Sequence, residues 1–63
     1  MNQKERIKES LEKIKKEYID NLINGNDWVE LESKTSLLLD IAKIKLDSED
    51  ELITEIEKML KAI

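Results

Sequence analysis

Apolar residues recur along this chain at intervals of three and four, and nowhere alternate in twos over a useful length. That spacing predicts helices and no strand. It resolves into three segments, about residues 3–23, 27–46 and 48–62. The middle segment stands apart. On a 3.6-residue wheel Trp28, Leu31, Leu38, Leu39, Ala42 and Leu46 fall on one side, with Thr35 among them. Leu37, Ile41 and Ile44 fall roughly opposite. A surface helix needs one apolar stripe, so a helix with two predicts a neighbour on each side. Those neighbours come from this chain, from a second copy, or from a target.

The flanking segments carry one stripe each. The first has Ile7, Leu11, Ile14, Tyr18 and Leu22 at spacings of four and three, with Ile19 and Ile23 lying off that seam. The third has Leu52, Ile56, Met59 and Ile63, flanked by Ile53 and Leu60. Each segment is preceded by the same starting device. Asn2 is followed by Glu5, Asp27 by Glu30, and Ser48 by Glu51, and each pair fits a capping box. Gly25, the only glycine, sits where a left-handed residue past a helix end is expected. Asn24-Gly25-Asn26 is short enough to turn the second helix back antiparallel to the first. Asp47-Ser48 makes a second tight break. The expectation is an all-α single domain spanning residues 1–63. It is an antiparallel hairpin plus a third helix, closed as a three-helix bundle or completed as a helical homodimer.

Length sharpens this picture. A chain of 63 residues buries only a small core and relies on tight helix packing or on oligomerisation. With no Cys and no His, disulfides, thiolate chemistry and the usual zinc ligand sets are excluded, and neither metal nor cofactor is expected. The net charge of −4 argues against a nucleic-acid partner, which wants a basic face. No apolar run reaches membrane-spanning length and the first residues do not begin a secretory signal, so a cytoplasmic protein without membrane contact is expected. The usage rich in Ile, Lys, Glu and Asn suits a low-GC bacterium or its phage.

Candidate chemistry is sparse. No His or Cys is present to activate Ser10, Ser33, Ser36 or Ser48, which read as caps and surface residues. Acids and lysines four apart, such as Glu9–Lys13, Glu12–Lys16 and Glu57–Lys61, read as solvated helix pairs. Lys13, Lys15 and Lys16 form a basic cluster that Glu12 and Glu17 interrupt, and no aromatic residue interleaves with it. Trp28 reads either as core packing at the helix start or as an exposed anchor for a partner.

One stretch carries a resemblance. Ser36-Leu37-Leu38-Leu39-Asp40, on the second of two helices, resembles the short bacterial aspartyl-phosphate phosphatases that restrain sporulation. That family is a helical hairpin with a Ser-Gln-Glu-Leu-Asp signature on its second helix. Ser36, Leu39 and Asp40 match, and the distance back to Leu11, Lys15, Ile19 and Asp20 is also similar. Leu37 and Leu38 stand where the signature has Gln and Glu. The resemblance spans about residues 7–46 and implies Ser36 and Asp40 as catalytic residues acting on a phosphorylated response regulator, with a water placed in line.

The residues themselves favour a different class. They point to a small acidic non-enzymatic helical protein that binds and modulates or inhibits a larger partner, of the inhibitor, immunity, antitoxin or phage-encoded kind. Its acidic helices suit a basic partner surface, and a homo-oligomer is expected. The expected contact residues are Trp28, Ile19, Ile23, Leu37, Ile41 and Ile44. A bare helical oligomerisation module is the third expectation.

Overall fold

A computed structural model describes residues 2–24 and 28–63, with only the backbone at 23 and 24. It contains three helices, α1 (Gln3–Asn24), α2 (Trp28–Lys45) and α3 (Glu51–Ala62), packed as an all-α three-helix bundle. Their order along the chain is up, down, up. Glu17 of α1 meets Lys34 of α2 and Tyr18 meets Trp28, which sets α2 antiparallel to α1. At the other end Lys4 meets Asp50 at the entry to α3, and the Tyr18 hydroxyl reaches Ala62 near its end. Those two contacts run α3 parallel to α1.

The first helix starts as its sequence predicts, with the Asn2 side-chain oxygen accepting from the Glu5 N–H at 2.9 Å. The second cap, Asp27, and the glycine turn at Gly25 lie outside the described residues. The third start is corrected. Ser48 does not begin α3; the cap is Asp50, whose carboxylate accepts from the Leu52 N–H at 2.8 Å. Asp47 first turns the chain, its side chain accepting from the Glu49 N–H at 3.0 Å and its carbonyl accepting from the Asp50 N–H. Aspartate offers a charged acceptor that the Ser48 hydroxyl does not, and Asp50 also pairs with Lys4 at 3.3 Å. The carboxyl of Asp50 is held below its ordinary value of 3.8, chiefly by the Leu52 N–H and further by Lys4.

The core is drawn from one stripe of each helix. Ile7, Leu11 and Ile14 of α1 meet Leu31, Thr35, Leu38 and Ala42 of α2 and Leu52, Ile53, Ile56 and Met59 of α3. Tyr18, Trp28, Leu39, Leu46 and Ile63 pack against its edges. The Thr35 hydroxyl, fully buried, donates to the Leu31 carbonyl one turn back at 2.8 Å, so a polar side chain enters the core without an unmade bond.

The α1 seam departs from expectation in its last turns. Leu22 is 61% exposed, whereas Asn21 is only 8% exposed. The alternation of four and three through Ile7, Leu11, Ile14 and Tyr18 runs on to Asn21, three residues further, and passes Leu22 by. The Asn21 side-chain nitrogen donates to the Glu17 carbonyl at 2.8 Å, but its oxygen is buried with no hydrogen-bond partner among the described residues.

Candidate protein-docking face

The two apolar sides of α2 meet different fates. Both neighbouring helices pack on the side of Leu31, Thr35, Leu38 and Ala42. Of the three sources open to those neighbours, this chain supplies only one side: Leu37 is 62% exposed, Ile41 39% and Ile44 77%. The cause is geometric. Two partners of a three-helix bundle share about one half of a helix circumference, and α3, following a short break, returns along the side where α1 already lies.

The uncovered side has a shape. A shallow groove of about 280 Å³ runs between α1 and α2, lined on α1 by Ser10, Lys13, Ile14 and Glu17 and on α2 by Lys34, Leu37, Leu38 and Ile41. It lies on the face of the α1/α2 hairpin away from α3, because α3 meets α1 through Lys4 and Lys8 on the other edge. Ile44, one turn beyond Ile41, extends the apolar floor past its end. Lys34 crosses the groove, reaching Glu17 at 3.1 Å and Glu30 at 3.6 Å. That hydrogen bond to Glu17 holds the Lys34 ammonium above its ordinary range.

The other residues singled out from the sequence do not join this groove. Ile19 is exposed on α1 and is not among the groove's lining residues. The side chain of Ile23 lies outside the described residues. Trp28 is half-buried and edge-to-face with Tyr18, ring centroids 5.5 Å apart at 73°, a packing contact at the helix start. Ser36 and Asp40 are exposed in successive turns of α2, beyond the stripe from the groove. Lys13 and Glu17, which sequence reasoning took as surface charges, are the polar rim of the groove. Their signal was spacing: Lys13 and Glu17 lie four apart on one face of α1, and Glu17 lies one turn from Ile14.

Chemically the face offers apolar area and charge and little else. Among the described residues no group of three acids is placed to hold a metal ion, and no helix is long and apolar enough to cross a membrane. Comparison with protein-family models, curated proteins and solved structures finds no match to this chain.

Proposed function

We propose that this is a small acidic helical interaction protein, acting by protein docking on the outer face of α2 and so modulating a larger partner. One observation carries the reading. Leu37, Ile41 and Ile44 form a continuous apolar stripe on the solvent side of the most apolar helix, beside a ready groove. Scattered exposed apolar residues are ordinary; three in register beside a concavity mark a contact surface. An amphipathic helix fits it best, since the groove runs between two helices and its floor repeats at helical spacing.

The test is photo-crosslinking in the source cell, from a photoreactive side chain at position 44 and, on the opposite side, at position 57. A larger protein captured from 44 alone, and lost when Ile41→Lys is added, supports the reading. Equal capture from both positions overturns it. So does unfolding of a monomeric Ile41→Lys/Ile44→Lys variant, which would make the stripe part of the core.

A second reading, aspartyl-phosphate phosphatase, draws support from the exposure of Ser36 and Asp40 on an antiparallel hairpin. It requires faster loss of phosphate from a phosphorylated response regulator, abolished by Asp40→Ala. A rate unchanged by the protein retires it.

A further inference from the structure

Resting on the reading of this stripe as a docking face, we propose that its occupant in the free protein is a second copy of this chain, paired through parallel, in-register α2 helices. Leu37, Ile41 and Ile44 are spaced four and three apart, the interval at which helices interlock side by side. They take positions d, a and d of a heptad, and Lys34 takes the preceding a. Ile41 at a with Leu37 at d suits two-stranded parallel pairing, Ile44 at the second d does not add to that preference, and a lone lysine at a sets register at some cost in stability.

Charge decides the orientation. The stripe has an acidic edge, with Asp40 at g, and a basic edge, with Lys45 at e and Lys13 of α1 beside it. None of these three side chains enters an ion pair among the described residues. In a parallel pair about a twofold axis along the helices, each g edge faces the partner's following e edge. Asp40 of one copy then meets Lys45 of the other, twice. Antiparallel pairing would instead set basic edge against basic edge and Asp40 against Asp40, leaving like charges opposed. There is room for the parallel pair. α1 flanks the stripe only along its basic edge, at Lys13, Ile14 and Glu17, and Leu37, Ile41 and Ile44 stay exposed, so a second α2 can reach them.

Solution mass across concentration, charge reversal and cysteine cross-linking test this together. The wild-type chain is expected to be a dimer that dissociates on dilution. Asp40→Lys or Lys45→Glu alone should weaken it roughly tenfold, because symmetry loses each pair twice, and the double exchange should restore it. The chain has no cysteine, so Leu37→Cys and Ile44→Cys can only form bonds between copies. In the parallel register each variant links to itself on oxidation. Disulfides formed only when the two variants are mixed would show antiparallel pairing and overturn the proposal. A wild-type chain that stays monomeric at millimolar concentration overturns it too, while leaving the docking face to its own cross-linking test. Ile44→Lys, at an exposed position, should be a folded helical monomer. A dimer unaffected by it would place the interface elsewhere and likewise overturn the proposal.

Discussion

Glu17 and Lys34 meet across the mouth of the α1/α2 groove, carboxylate oxygen to ammonium nitrogen 3.1 Å, from positions seventeen residues apart in the chain. Both ends are open to water, so the pair fixes how the two helices face each other more than it holds them together. Lys34→Met should therefore lower the melting temperature less than any core truncation. The small loss should also disappear in 1 M salt, where exposed charges are screened within about 3 Å. A thermal melt by circular dichroism at two ionic strengths checks this.

The cap at Asp50 gives a pH dependence. Its carboxyl is depressed below 3.8 in the folded chain, so its contribution is present above the unfolded value and is lost as pH falls through the folded one. Asp50→Asn keeps an acceptor for the Leu52 N–H but has no charge to titrate. Urea midpoints of the two proteins should differ at neutral pH and converge as the pH falls well below 3.8, and Asp50→Ala should be the least stable at neutral pH.

Thr35 is buried without strain, its hydroxyl bonded to a carbonyl that the helix backbone already engages. Valine has nearly the same shape and leaves no buried group unpaired. Thr35→Val should shift the unfolding free energy by no more than about 1 kcal/mol, in either direction. Thr35→Leu should cost about 1–3 kcal/mol through overpacking. Chemical denaturation of the pair separates shape from polarity at this site.

Asn21 is the opposite case, with a buried oxygen that nothing among the described residues bonds. Asn21→Leu removes that desolvated acceptor, and the Glu17 carbonyl keeps its place in the helix ladder. The substitution should raise stability by about 1 kcal/mol, read as a higher urea midpoint at constant slope.

Ile56 is fully enclosed at the centre of α3. Ile56→Val should cost about 0.5–1.5 kcal/mol and Ile56→Ala about 2–5 kcal/mol. For a domain this small the second is much of the total stability, on the order of 3–9 kcal/mol. A sizeable unfolded fraction of Ile56→Ala at 37 °C, seen by circular dichroism, is the expected outcome.

Much of this molecule is written in local pattern. The three helices and the seam of α3 follow from residue spacing, as does the whole buried side of α2 from Trp28 to Leu46. Helix periodicity needs only neighbours three and four residues away to be visible. The start of α3 was less legible, because Asp47, Ser48 and Asp50 are all good caps. Choosing among them depended on Lys4, brought there from forty-six residues earlier. The inward place of Asn21 was masked by residue type: the spacing of four and three reaches it, but its apolar neighbour Leu22 makes the better core residue by composition.

What the sequence determined by itself was the helical content and the two-sidedness of α2, both set by the identity of adjacent turns. What only the tertiary structure decided was which of those sides is left bare. Two helices joined by short connections must share the arc of α2 that their connections reach. The chain thus spends both neighbours on Leu31, Thr35, Leu38 and Ala42 and leaves Leu37, Ile41 and Ile44 facing outward.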